Sequence, residues 1–146
     1  NPLLITNEND IKVKRLTGKI DRVLVDAPCS GLGTLRRNPD LKWRQSPQSI
    51  EELKRKQAAI LASAANLLKP GGRLVYATCS FLPEENQEIV DSFLNSHPRF
   101  VQLNCAELLI QQKIPLDTGA FLQLSPGLHH TDGFFAAALE LAKDEA

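Results

Sequence analysis

Two short segments carry the side chains best suited to chemistry: Asp26-Ala27-Pro28-Cys29-Ser30-Gly31 and Ala77-Thr78-Cys79-Ser80. A cysteine thiolate is an intrinsically strong nucleophile, and a carboxylate nearby can hydrogen-bond or exchange a proton with whatever the sulfur attacks. Cys29 and Cys79 are far apart in the chain, so they act on one substrate only if the fold brings them together. A free cysteine is more commonly a small buried hydrophobe. These two instead follow apolar runs and sit among Ser, Thr and Gly. Cys105 lacks that setting and reads as structural.

The elements that must position these residues are legible from periodicity. Arg22-Val23-Leu24-Val25-Asp26 reads as a buried parallel strand with Asp26 at its carboxyl edge. Residues 49 to 68 carry an apolar stripe at Ile50, Leu53, Ala58, Ile60, Leu61, Ala64, Ala65 and Leu68, predicting a helix capped by Ser46 or Ser49 and stopped at Lys69-Pro70-Gly71-Gly72. Residues 73 to 79 repeat the strand pattern and end on Cys79. A helix from about 83 to 94 follows, with Glu84 and Glu85 placed for its dipole. Residues 100 to 103 suggest a short strand and 105 to 112 a short helix. Residues 133 to 141 fit helix or strand by periodicity, and the α/β alternation favours strand. In such sheets ligands bind beyond the carboxyl ends of the strands, so Asp26, Cys29 and Cys79 converge if the first two strands are neighbours.

The totals bound the possibilities. The chain has 146 residues, no net formal charge and three cysteines. That length fits one domain with a real core. Neutral charge advertises no nucleic-acid partner, so any RNA contact must come from a local basic patch. An odd number of cysteines without a CxxC pair argues against a disulfide framework and a zinc site, and suggests a reducing, cytoplasmic setting. No apolar run is long enough to span a membrane. The lack of methionine suggests a chain beginning inside a longer product.

Several linked blocks resemble one family. Residues 26 to 33 (DAPCSGLG), 36 to 43 (RRNPDLKW), 76 to 80 (YATCS), 83 to 86 (PEEN) and 130 to 137 (HTDGFFAA) are similar to the signatures of the Sun (Fmu) RNA 5-methylcytidine methyltransferases. The likeness runs over roughly residues 20 to 142. It implies the C-terminal half of a Rossmann-like, class I S-adenosylmethionine-dependent methyltransferase: an α/β fold with a mostly parallel sheet and an antiparallel last strand. It implies S-adenosyl-L-methionine as cofactor and RNA, most naturally small-subunit ribosomal RNA, as partner. Cytosine C5 is a poor nucleophile until a thiolate adds to C6. The resemblance assigns that attack to Cys79, product release to Cys29, and contact with the flipped base or cofactor to Asp26 and Pro28.

Arg36, Arg37, Lys42 and Arg44, interleaved with Trp43, form the strongest basic cluster and are candidate RNA contacts, against the plainer reading of a solvated charged loop. Lys54, Arg55 and Lys56 read more simply as a helix's wet face. Gly31-Leu32-Gly33 and Gly71-Gly72 extend to neither GxGxxG nor GxxxxGK[ST], and no metal is expected. Nothing before residue 20 matches the family's Gly-rich cofactor loop. Asp10 is a candidate for the acidic residue near the adenine. The chain is therefore expected to be a partial catalytic domain that binds cofactor poorly alone. Transfer RNA methylation, a DNA-type mechanism with Cys29 of the Pro-Cys pair as nucleophile, and a non-catalytic RNA-binding scaffold are the alternatives.

Overall fold

A computed structural model describes residues 1–145. In chain order the elements are α1 (Ile11–Lys14), β1 (Ile20–Asp26), a 3-10 turn (Leu32–Thr34), α2 (Leu41–Arg44), α3 (Pro47–Ala65), β2 (Leu68–Thr78), a 3-10 turn (Pro83–Glu85), α4 (Gln87–Ser96), β3 (Phe100–Leu103), α5 (Cys105–Gln111), β4 (Leu122–Leu124), α6 (Pro126–His129) and β5 (Phe134–Leu141). Helix α3 starts where the sequence predicts. Ser46 accepts from the Ser49 backbone at 3.1 Å while the Ser49 hydroxyl accepts from the Ser46 backbone at 2.8 Å, a reciprocal cap followed by Pro47.

The strands form one sheet in the order β1-β2-β5-β3, with β4 also paired to β5. The expectation of a mostly parallel sheet is corrected at the level of pairing. Only β1 with β2 is parallel; β2, β3 and β4 each pair antiparallel with β5. The last strand inserts between β2 and β3, and a strand running against its neighbours makes every ladder it joins antiparallel. The antiparallel orientation expected of that strand is observed, and so is strand rather than helix there.

The core lies between this sheet and α3 and α4, with Leu61, Leu74, Tyr76, Val90, Phe135 and Leu139 almost fully buried. On the other face α5 brings Leu108 and Leu109 beside Val75, Ala136 and Ala138, and Cys105 is buried there, as a structural thiol should be. Three boundary expectations are corrected. Helix α3 ends at Ala65, three residues short of the predicted end, and Leu68 to Gly72 enter the irregular start of β2. Ala58 is exposed, whereas Gln57 occupies the buried face. The helix expected from 83 to 94 is divided into a 3-10 turn and α4, because Asn86 leaves the helical region at φ −111°, ψ −104°.

Candidate active site

Parallel pairing places Asp26 opposite Ala77, so both strands end at one edge of the sheet. The Ala27 amide continues the ladder to the Ala77 carbonyl at 2.9 Å. One turn later the Gly33 amide reaches the Cys79 carbonyl at 2.9 Å, and the Gly133 amide reaches the Gly33 carbonyl at 2.7 Å. The glycine-bearing loop after β1, the Cys79 loop and the entry to β5 are thereby laced together through backbone. Gly33 is required sterically: a Cβ there would lie 2.5 Å from the Gly133 carbonyl oxygen and 2.6 Å from that of Cys79. Gly31 is required conformationally, at φ 73°.

Within this scaffold the Cys29 and Cys79 sulfurs stand 3.2 Å apart, both partly exposed. Burial, then the contact with Cys79, pushes the Cys29 thiol up to about 12. Asp26 is exposed at the end of β1, and among the described residues its carboxylate has no hydrogen-bond or ion-pair partner that would make it a cap for the turn. The Pro28 ring is exposed, but its carbonyl turns inward and accepts from Gln57 Nε2 at 2.9 Å. This edge therefore exposes the Pro28 ring and the Asp26 carboxylate, with the Pro28 carbonyl turned away.

A buried polar network behind the sulfurs escaped the sequence reading. Glu85 is fully buried and accepts from the Ser30 backbone at 2.8 Å, the Ser30 hydroxyl at 2.7 Å, Gln57 Nε2 at 3.1 Å and the Ser80 hydroxyl. Asn86 donates to the Ser80 carbonyl at 2.9 Å and accepts from the Thr78 hydroxyl at 2.6 Å. Tyr76 donates to the Glu85 carbonyl at 2.6 Å. Glu85 therefore does not serve a helix dipole. One signal was available: Gln57 falls in helical register with Leu61 and Ala64, a polar residue inside an apolar stripe.

The remaining candidates lie in two other settings. Asp10 caps α1, accepting from Lys12 and Thr6 backbones at 2.9 Å each, and those hydrogen bonds hold its carboxyl below the usual range. In the basic cluster Arg37 grips Asp132 at 2.5 Å with Arg36 at 3.7 Å from the same carboxylate, and Arg44 pairs with Asp40 at 2.6 Å. Lys42 lies 4.8 Å above the Trp43 ring, whose residue is 81% exposed. Three guanidinium groups thus face two carboxylates while Lys42 faces the ring, leaving excess positive charge beside an open indole. A cleft of about 720 Å³ opens next to Ser80 and Phe81 and runs past Asp117, Thr118, Gln123 and His129.

Residues 3–140 match the family model for 16S rRNA methyltransferase RsmB/F. The chain is similar to a probable ribosomal RNA small subunit methyltransferase B of Synechocystis, with 45% identity over 84% of this chain and 28% of that protein. It is 45% identical to the ribosomal RNA small subunit methyltransferase B of Shewanella oneidensis over 83% of this chain and 27% of the relative. It also resembles the crystal structure of NSun6 from Pyrococcus horikoshii with SFG, at 30% identity and TM-score 0.77, covering 98% of this chain and 35% of that one. The chain thus spans little more than a quarter of the length of these curated relatives.

Proposed function

Because this chain belongs to the 16S rRNA methyltransferase RsmB/F family, we propose that it carries the covalent chemistry of an RNA cytosine-5 methyltransferase acting on small-subunit ribosomal RNA. The observation that carries this reading is the 3.2 Å approach of two sulfurs at the adjoining carboxyl ends of β1 and β2.

S-adenosyl-L-methionine, when bound, supplies the electrophilic methyl group; SFG in the Pyrococcus horikoshii structure is its analogue. The exposed Asp26 carboxylate and Pro28 ring fit a polar ligand at this edge, and Asp10 is the candidate for its adenine end. The Cys79 thiolate adds to C6 of the base, and the electron pair displaced from the C5–C6 bond makes C5 nucleophilic. The Asp26 carboxylate accepts from the exocyclic amine and, once N3 takes up a proton from solvent as charge builds on the ring, from N3–H. After methylation a solvent base takes the C5 proton, the C–H electron pair re-forms the C5–C6 double bond, and the sulfur–C6 bond breaks with its electron pair returning to Cys79 as thiolate. Cys29, its sulfur 3.2 Å from that of Cys79, stands beside the departing sulfur to assist release.

The Thr78-Cys79-Ser80 segment beside Asp26-Ala27-Pro28-Cys29 favours the RNA-type assignment, with Cys79 as nucleophile, over the DNA-type assignment to Cys29. Arg36, Arg37, Lys42, Trp43 and Arg44 contact the RNA backbone and an unstacked base. The cleft beside Ser80 and Phe81 gives room for nucleotides flanking the target. A partial catalytic domain is the corresponding description of the chain.

The test uses the full-length enzyme with Cys29→Ala, incubated with S-adenosyl-L-methionine and unmodified ribosomal RNA and resolved on a denaturing gel. The expected result is a stable protein–RNA band that disappears when Cys79→Ala is added. Normal turnover by Cys29→Ala without a band would overturn the two-cysteine mechanism.

A further inference from the structure

We propose that Glu85 is a positioning residue for the cysteine pair: its buried carboxylate ties the Cys29 loop to the Cys79 loop and sets the approach of the two sulfurs. The inference rests on the reading of Cys79 as nucleophile and Cys29 as release residue. Glu85 touches neither the base nor the methyl donor in this scheme; it acts through the loops.

The network has a simple logic. Ser30 and Ser80 are the residues immediately following the two cysteines, and both hydroxyls donate to the same oxygen, Oε2. The other oxygen, Oε1, accepts the Ser30 backbone N–H at 2.8 Å and Gln57 Nε2 at 3.1 Å. Gln57 Nε2 also holds the Pro28 carbonyl at 2.9 Å, so the residues on both sides of Cys29 are fixed by one cluster. Among the described residues no lysine or arginine pairs with this carboxylate. A carboxylate removed from water is costly unless donors replace its hydration, and its two oxygens offer about four acceptor sites. Four donors fill them here. Because two of the donors come from one cysteine loop and one from the other, the carboxylate is satisfied only when the loops are in register. Loop register in turn fixes the 3.2 Å separation of the sulfurs.

The experiment compares the full-length enzyme with its Glu85→Gln variant, in which an amide N–H group faces donors whichever way it flips. Two readouts are taken on variants that retain the parent's circular dichroism and melting temperature. The first is single-turnover methyl transfer to ribosomal RNA, expected to fall by up to roughly a hundredfold with little change in half-saturating RNA, as for a misplaced reacting group. The second is the rate at which diamide converts Cys29 and Cys79 to a disulfide, the two thiol protons and two electrons passing to the diamide. This rate should fall as well, because it reads sulfur approach directly. Glu85→Asp, which keeps both acceptor oxygens, should recover part of each rate.

Unchanged transfer and cross-linking in a folded Glu85→Gln protein would overturn the proposal. If Glu85→Gln does not fold, the Ser30→Ala, Ser80→Ala double variant decides: both rates fall if the hydroxyl ties set the geometry, and unchanged rates overturn it. Cross-linking does not depend on which sulfur attacks RNA. Slowed cross-linking together with an RNA adduct on Cys29 would therefore sink the nucleophile assignment while leaving Glu85 as the residue that positions the pair.

Discussion

At the Cys29–Cys79 pair, burial and proximity act on ionisation in the same direction. Burial disfavours a thiolate, and a second sulfur at 3.2 Å disfavours a second negative charge beside the first. Cys29 rises from 9.0 to about 12 in the folded protein. The folded state therefore holds that proton more tightly than the unfolded chain, so the contribution to stability is complete below 9.0 and is lost as pH climbs toward about 12. Tyr76, raised from 10.0 chiefly by burial and then by the Glu85 carboxylate, adds to the same alkaline loss. Peptide-resolved labelling with iodoacetamide checks the residue-level claim. The initial rate at Cys29 should keep climbing with pH above 9.0, where an ordinary cysteine levels off; a plateau near 9.0 would refute it.

Among the elements, the loop after β1 is held by the least replaceable contact in the site. Gly33 is buried with an unexceptional φ, so its constraint is space alone, and the obstructing atoms belong to backbone. Gly33→Ala should cost about 1–3 kcal/mol, the usual penalty for overpacking, because the Cys79 loop or the Gly133 turn must move. Gly127→Ala, where an added Cβ meets nothing within 4 Å, should stay within about 0.5 kcal/mol. Urea denaturation of both variants measures the difference, and equal midpoints would remove Gly33's proposed role. At this scale the sequence showed the two strands and α3 clearly, since each has a strong apolar period and α3 has its cap and stop residues. The division of the second helix at Asn86 was hidden. It depends on the Asn86 amide engaging Thr78 and Ser80, contacts that exist only once β2 is in place.

For the molecule as a whole, β1 forms one edge of the sheet. Among the described residues β1 pairs only with β2, leaving its outer backbone groups without a ladder partner there, and Leu24 on it is 69% exposed. The expected cofactor contacts within this chain are Asp10, Asp26 and Pro28, none of them in a Gly-rich loop. Titration of this chain alone with S-adenosyl-L-methionine should give no saturable heat where the full-length enzyme saturates. Tight binding by the chain alone would overturn that expectation. On the proposed reading, zero net charge leaves RNA affinity to the excess cations around Trp43.

What the sequence determined by itself was local: that the runs ending at Asp26 and Thr78 are strands, where α3 begins, and which segments carry thiols and a carboxylate. Hydrophobic period, capping residues and side-chain type are written residue by residue, so they need no fold to be read. The tertiary structure alone decided that β1 and β2 are neighbours, that β5 enters antiparallel between β2 and β3, and that Glu85 and Gln57 lie behind the sulfurs. Strand order and the burial of a polar side chain follow from pairing across long stretches of chain. A carboxylate placed for a helix dipole by local rules became a buried acceptor because Ser30, fifty-five residues earlier, supplied two of its four donors, with Gln57 and Ser80 supplying the others.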